Sequence, residues 1–182
     1  VPDLYVCPRT LFFKTNPFRK TQKKALKKPY VIGIHMGSSK LAAGKALSQD
    51  FVLKLLTFLI EQKYKVVLFG TKDELKSLDI KPHPQIAFAQ DQDVIKNLSW
   101  VNRCNLMVAS DSVFKTMSSM IHIPTIVLHK NNKNPFRDRT FIEPYVKAHC
   151  MYVYKYQSLE GSEVDHALEF TIKNINALLK AS

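Results

Sequence analysis

The stretch YVIGIHMGSSKLAAGKAL, residues 30–47, decides the fold of this chain. It opens with a short apolar run, VIGI, whose β-branched residues are typical of a strand covered on both faces. A loop of small residues follows and ends at Lys45. Ser48 is then placed to cap a helix that is predicted over residues 49–63. This order of strand, loop and helix predicts one unit of an α/β sheet.

The loop within this stretch has the chemistry of an anion cradle. Ser38 and Ser39 supply hydroxyl groups, and Lys45 supplies an ammonium group. The start of the following helix adds backbone N–H groups and partial positive charge. Together these groups favour a phosphorylated ligand. The loop matches neither a Walker A motif nor GxGxxG, so a plain connection between strand and helix stays an alternative.

The rest of the chain alternates short apolar runs with amphipathic stretches. Further strands are predicted at residues 64–69, 86–89, 106–109, 124–129 and 151–156. Further helices are predicted at residues 73–78, 93–104, 110–121 and 163–180. Asp91 or Gln92 is expected to open the second of these. This alternation predicts a doubly wound open parallel sheet with helices on both faces, a Rossmann-like α/β domain.

In such a sheet the ligand crevice lies at the carboxyl ends of the strands. Four loops are expected to meet there: residues 37–45, 70–74, 110–115 and the segment from residue 129 onward. In the third loop, Ser110 and Asp111 are good helix N-caps, which is one explanation for them. The other is that Asp111 accepts hydrogen bonds from a sugar or ribose hydroxyl while Ser112 faces phosphate. Two anion-friendly helix starts on one edge suit a diphosphate.

Composition excludes several classes of protein. No apolar run approaches the roughly 20 residues that span a bilayer. Cys7, Cys104 and Cys150 are odd in number and far apart, which argues against a disulfide framework or a zinc site and predicts packed thiols in a reducing compartment. The six histidines show no metal-ligand spacing. Neither a metal nor a cofactor is expected.

The positive charge is concentrated at the start of the chain. Of a net charge of +12, residues 1–29 carry eight basic residues against one acid. We interpret this segment as a basic linker or arm, which could contact an anionic membrane, attract phosphorylated substrates or be solvated. Nucleic acid is not the expected partner, because no RRM, KH or zinc-finger pattern accompanies the charge.

Three motifs in order carry a resemblance to a known family. They are GSSKLAAGKALSQDF (37–51), KVVLFGTKDE (65–74) and DSVFKTMSSMIHIP (111–124). From about residue 29 to the final helix, the sequence resembles the C-terminal, donor-binding half of glycosyltransferase family 9, the lipopolysaccharide heptosyltransferases, whose fold is GT-B.

The resemblance implies a role for each matching residue. Ser38, Ser39 and Lys45 fall on the positions that hold donor phosphates in the family. One acid of Asp73 or Glu74 is expected near the nucleoside, and Glu74 is the one we select. The donor-contacting pair matches residues 111 and 112.

The third motif also departs from the family pattern. Val113 stands where the family has glycine, and Thr116 stands where it has histidine. Lys115, next to Thr116, is the expected substitute source of positive charge. The tryptophan-proline pair that follows the family's lysine is replaced by residues 46–48, Ala-Leu-Ser.

The resemblance further implies a reaction and a place. The family transfers a heptose, or a related sugar, from an ADP-linked donor to a lipid-linked saccharide acceptor, without metal and with inversion, at the cytoplasmic face of the bacterial inner membrane. Residues 30–182 are expected to be the donor domain. The general base and acceptor groove are expected in an N-terminal half that this chain lacks, so the chain alone is not expected to turn over. A diverged non-catalytic nucleotide-binding module and a basic nucleic-acid-binding protein stay open as alternatives.

Overall fold

A computed structural model describes residues 29–37, 45–90, 93–131 and 151–180. Within these ranges the chain forms six strands and five helices. The strands are β1 (Val31–His35), β2 (Lys65–Phe69), β3 (Ile86–Ala89), β4 (Leu106–Ser110), β5 (Thr125–Lys130) and β6 (Met151–Tyr156). The helices are α1 (Gln49–Glu61), α2 (Lys72–Lys76), α3 (Val94–Val101), α4 (Val113–Met120) and α5 (Ser162–Lys180).

The strands form one parallel sheet with the order β3-β2-β1-β4-β5-β6. The central strand β1 pairs with β2 on one side and β4 on the other, and Ile34 lies opposite Leu68 and Val108. From β1 the chain adds β2 and β3 on one side of the sheet, and it then adds β4, β5 and β6 on the other side. The strand order therefore reverses between β1 and β4, and α/β sheets open a ligand crevice at such a point. The predicted doubly wound open parallel sheet is confirmed.

Both faces of the sheet are covered because each central strand is apolar on both sides. Along β1, Ile32 and Ile34 point to the face that α1, α2 and α5 cover. On the opposite face, Met107 packs with Val101 of α3 and Phe114 of α4. A Cβ at position 33 would overlap the Met107 sulfur, so only glycine lets this face close.

Helix α1 follows its local sequence signals closely. The Ser48 hydroxyl accepts a hydrogen bond from the Phe51 N–H at 3.3 Å, as expected of an N-cap. The helix ends at Glu61, two residues before the predicted end. Lys63 adopts a left-handed φ of 59°, and the N–H of Tyr64 bonds back to the Leu59 carbonyl at 3.0 Å, which closes a Schellman-type turn.

Helix α3 begins later than predicted. Asp93 is its N-cap, and Asp93 Oδ1 accepts hydrogen bonds from the backbone N–H groups of residues 95 and 96. The expectation that Asp91 or Gln92 opens this helix is therefore wrong, and both residues lie outside the described ranges. A carboxylate satisfying two otherwise unbonded N–H groups fixes the helix start.

Helix α4 is not capped by the residues that its sequence favours. Ser112 occupies the N-cap position, and neither Ser110 nor Asp111 does. Ser110 still belongs to β4, and its hydroxyl donates to the Gly37 carbonyl at 2.6 Å. The Asp111 carboxylate pairs with Lys115 instead of capping the helix. A tertiary contact of Ser110 and a local ion pair of Asp111 thus override the capping preference.

Several predicted features lie outside the described residues. These are Cys7, Cys150 and residues 1–28 of the basic arm. Cys104 is a free thiol buried in the sheet face under α3 and α4, and burial raises its pKa to about 12. None of the helices in the described ranges has the length and apolarity needed to cross a bilayer.

Candidate functional site

The loops that leave the carboxyl ends of the strands contact one another. Gly37, just after β1, accepts the hydrogen bond from Ser110 at the end of β4. The backbone of Leu47 donates to the Met36 carbonyl at 2.8 Å, which turns the far end of the β1–α1 connection back onto its start. The Tyr156 hydroxyl, at the end of β6, lies 3.4 Å from the Lys45 carbonyl. The carboxyl edge of the sheet is therefore where the candidate site forms.

Asp111 is the centre of a charged cluster at this edge. Lys115 Nζ donates to its Oδ1 at 2.7 Å, and Lys45 Nζ lies 3.5 Å from its Oδ2. His129 Nδ1, from β5, lies 3.8 Å from the same Oδ2. Side chains from three separate parts of the chain thus converge on one carboxylate.

The Lys115 pair follows from helix geometry. Side chains of a helix lean toward its N-terminus, so a lysine in the first turn of α4 reaches a carboxylate four residues earlier. A cation in the first turn opposes the helix dipole, and Asp111 offsets this cost. The pair is almost completely buried, with 5% of the Lys115 side chain and 3% of the Asp111 side chain exposed.

The cluster carries more positive than negative charge. Its two ammonium groups face one carboxylate, and the Lys45 side chain is still 18% exposed. Tyr156 has its pKa raised to about 12, by burial first and then by the charges of Asp111 and Glu163, so its hydroxyl stays neutral at pH 7. A site with surplus positive charge and one exposed ammonium group suits an anionic ligand.

Ser112 differs from an ordinary N-cap because its side chain makes no capping bond. Its Oγ lies 3.0 Å from Nδ1 of His35, the last residue of β1. The His35 ring stacks on Phe114 with centroids 4.1 Å apart. Burial lowers the pKa of His35 to about 4, so the imidazole is neutral at pH 7.

Glu74 lies at the same edge with a structural role of its own. Its carboxylate accepts from the Thr71 N–H at 2.7 Å, and the Thr71 hydroxyl accepts from the Glu74 N–H, which completes a capping box for α2. The carboxylate also lies in the space that a Cβ at position 37 would occupy, so a larger residue there would displace the Glu74 side chain. Glu74 therefore joins the β2–α2 turn to the loop after β1.

The structure brings together three of the eight residues selected from the sequence and places a fourth beside them. Lys45, Asp111 and Lys115 form the charged cluster, and Ser112 follows Asp111 directly. Thr116 lies on α4, half-buried. Ser38 and Ser39 lie outside the described residues, as do residues 132–150 of the loop after β5.

The sequence analysis does not select His35 or Tyr156 at this edge, and it expects His129 there only as the point where a loop begins. The strand pattern accounts for the first two, and the histidines show no metal-ligand spacing. The available signal was position, because each lies in the last two residues of a strand whose carboxyl end was expected to carry the site. Within the described ranges, no three His, Cys, Asp or Glu side chains come together as metal ligands could.

Similarity to known proteins is found in structure. No protein-family model and no curated protein sequence matches the chain. The structure is similar to ADP-heptose lipopolysaccharide heptosyltransferase II of E. coli, with 19% sequence identity and a TM-score of 0.65 over 84% of this chain and 47% of that chain. A glycosyltransferase family 9 protein from Veillonella parvula matches with 20% identity and a TM-score of 0.65 over 86% and 48%. The chain has the fold of one half of a GT-B glycosyltransferase.

The structure also matches E. coli heptosyltransferase WaaC with ADP, with 10% identity and a TM-score of 0.62 over 83% of this chain and 46% of that chain. The chain thus spans about half the length of the solved structures it matches. The resemblance to family 9 heptosyltransferases that the three motifs indicated is confirmed as a structural match. At these identities the match concerns the fold.

Proposed function

We propose that this GT-B half binds a nucleotide sugar through its diphosphate at the carboxyl edge of the sheet. The observation that carries the proposal is the placement of Lys45, 3.5 Å from an Asp111 carboxylate that already holds Lys115. A diphosphate brought to Lys45 would meet surplus positive charge at a largely buried cluster. Such preorganised charge binds anions more strongly than an exposed lysine does.

The donor-binding set that we propose combines cluster residues with loop residues. Lys45 and Lys115 supply positive charge, and Ser112 supplies a hydroxyl at the start of α4. Asp111 holds the two ammonium groups in place or accepts a sugar hydroxyl. The remaining members are Ser38, Ser39, Glu74 and Thr116.

The proposed reaction is the transfer of a heptose or a related sugar from an ADP-linked donor to a lipopolysaccharide core acceptor. Support comes from the family 9 motifs in the sequence and from the matched structures, one of which is described as holding ADP. In such a transfer negative charge grows on the departing diphosphate, and the ammonium group of Lys45 is suited to stabilise it. No metal is required by this scheme, because the charge is met by side chains.

The proposal assigns donor binding to residues 30–182 and the general base and acceptor groove to another half. It rests on the coverage of about half of each matched structure. On this view the chain alone binds donor without transferring sugar.

Residues 1–29 are proposed to contact the anionic cytoplasmic face of the bacterial inner membrane, because they carry eight basic residues.

Calorimetry with ADP tests the binding proposal on the full 182-residue chain. We expect heat of binding, and an affinity that falls from ADP to AMP to adenosine as phosphates are removed. For a substitution of Lys45, the matched control is Lys54→Ala. Lys54 pairs with Asp50 and Asp165 on exposed helix surfaces and lies outside the cluster. No heat and no thermal shift at millimolar ADP would refute the proposal.

A second candidate is a nucleotide-binding module without transferase activity. The buried Lys115–Asp111 pair favours it, because an Asp111 oxygen engaged by Lys115 at 2.7 Å is less available to a sugar hydroxyl. Val113 also favours a module without transferase activity, because it stands where the family has glycine. This residue is 57% exposed. Transfer of labelled sugar to a lipid acceptor, by the chain supplied with an acceptor-binding half, would eliminate this candidate.

A further inference from the structure

The hydroxyl of Ser112 is placed where it cannot serve its own helix. Ser112 is the N-cap of α4, with an extended backbone of φ −138° and ψ 176°, yet its side chain makes no capping hydrogen bond. Its hydroxyl oxygen lies instead 3.0 Å from His35 Nδ1, and the tautomer of His35 decides which of the two atoms donates. An N-cap serine ordinarily gains about 1 kcal/mol from capping, so a different contact at this position needs a reason.

His35 is held in place by its surroundings. Only 7% of its surface is exposed, and its ring lies nearly parallel to that of Phe114, at an angle of 22°. The residue ends β1 next to the loop that leads to Lys45. Because burial keeps the imidazole neutral at pH 7, Nδ1 carries a proton in one tautomer and a lone pair in the other.

The two tautomers give the Ser112 hydroxyl opposite properties. If Nδ1 is unprotonated, the Ser112 hydroxyl donates its proton to His35 and offers only lone pairs to a ligand, which repel an anion. If Nδ1 carries the proton, His35 donates to Ser112 Oγ and the hydroxyl proton is directed elsewhere. Only the second arrangement allows Ser112 to donate to a phosphate oxygen.

We propose that His35 is a positioning residue: as the Nδ1–H tautomer it donates to Ser112 Oγ and turns the Ser112 hydroxyl proton toward an oxygen of the bound diphosphate. This inference rests on the proposed function, since it assigns a task to Ser112 within that site. Binding of the diphosphate favours the Nδ1–H tautomer of His35. In this tautomer the Ser112 hydroxyl can donate its proton to the ligand.

A double-mutant cycle on ADP affinity tests the coupling in the full chain. His35→Phe keeps a stacked aromatic ring and removes the hydrogen bond, and Ser112→Ala removes the hydroxyl. We expect each single variant to bind ADP about tenfold more weakly, as the loss of a hydrogen bond to a charged group allows. The double variant should bind no more weakly than either single one, because both changes remove the same interaction.

A conservative variant and a spectroscopic measurement separate positioning from packing. The side-chain amide nitrogen of His35→Asn stands near the position of Nδ1, so this variant should recover most of the ADP affinity that His35→Phe loses. The ¹⁵N shifts of the His35 ring in the wild-type chain report the tautomer directly and do not depend on any variant folding. Adding ADP should shift the population to Nδ1–H.

Three results would overturn the inference while leaving the proposed function intact. The first is an ADP affinity of His35→Phe equal to that of the wild-type chain. The second is a double variant whose loss of affinity is the product of the two single losses. The third is a His35 ring whose Nδ1 stays unprotonated with ADP bound. Absence of ADP binding by the wild-type chain would instead refute the proposed function, and the inference with it.

Discussion

Asp111 is the residue on which the electrostatics of the site depend. Its carboxylate is buried with Lys115 and also faces Lys45, so neutralising it leaves a buried ammonium group without its counter-charge. We expect Asp111→Asn to lower the free energy of unfolding by about 3 kcal/mol. Urea denaturation at pH 7 measures the change.

The matched control is Asp50→Asn. Asp50 also pairs with a lysine four residues away, but its side chain is 59% exposed, so its loss should change the unfolding free energy by less than about 1 kcal/mol. Equal effects of the two substitutions would show that the Asp111 pair is not an important buried interaction.

Lys45 is the residue that the proposed function makes responsible for distinguishing ligands. We expect Lys45→Ala to weaken ADP binding about tenfold and adenosine binding hardly at all, because the proposal places the lost ammonium group against phosphate and not against the nucleoside. Calorimetry with both ligands on both proteins measures the difference. Equal losses for ADP and adenosine would mean that Lys45 acts through packing.

His35 makes the stability of the fold depend on pH. Its pKa of about 4 in the folded chain lies below the ordinary 6.5, so the unfolded chain binds more protons between these values. The stabilisation from a neutral His35 is present above pH 6.5 and is lost as the pH falls through 4. We expect the wild-type unfolding free energy to drop by about 3 kcal/mol more than that of His35→Phe between pH 7 and pH 4. Parallel pH profiles for the two proteins would contradict this.

At the scale of elements, the helices α1 and α4 start in different ways. The Ser48 hydroxyl caps α1, whereas the Ser112 hydroxyl makes no capping bond to α4. We expect Ser48→Ala to cost about 1 kcal/mol of unfolding free energy through the lost cap. In the wild-type chain Ser112→Ala should cost a similar amount, because it leaves the buried His35 Nδ1 without its partner. In a His35→Phe background Ser112→Ala should cost clearly less than Ser48→Ala, because no capping bond is lost there. Chemical denaturation of these variants measures the differences, and equal costs in the His35→Phe background would show that the α4 cap was assigned wrongly.

The same two helices show what the sequence could and could not predict. Helix α1 was predicted from local signals, because its N-cap serine and its wide apolar stripe act within one segment. The start of α4 was not, because Ser110 stays in β4 with its hydroxyl bonded to Gly37, 73 residues away, and Ser112 contacts His35, which is 77 residues away in sequence. Contacts between distant segments decide such starts, and no local preference reveals them.

At the scale of the whole molecule, the alternation of apolar strands and amphipathic helices was sufficient to predict the parallel sheet and therefore the edge at which the charged cluster lies. It placed His129 there only as the start of a loop and did not identify His35 or Tyr156, because a polar residue at the end of a buried strand resembles any other strand residue until the sheet is assembled. The order of the strands brings these side chains to the edge where Lys45 and Asp111 lie.

The central claim is that the carboxyl edge of this sheet binds a nucleotide diphosphate, and amide chemical-shift mapping of the ¹⁵N-labelled chain with ADP tests it most directly. We expect saturable shifts at residues 35–37, 45 and 110–116. The opposite edge, at residues 64–65, 103–105 and 122–124, serves as the internal control and should not respond. Shifts at that opposite edge, or none anywhere at millimolar ADP, would contradict the claim.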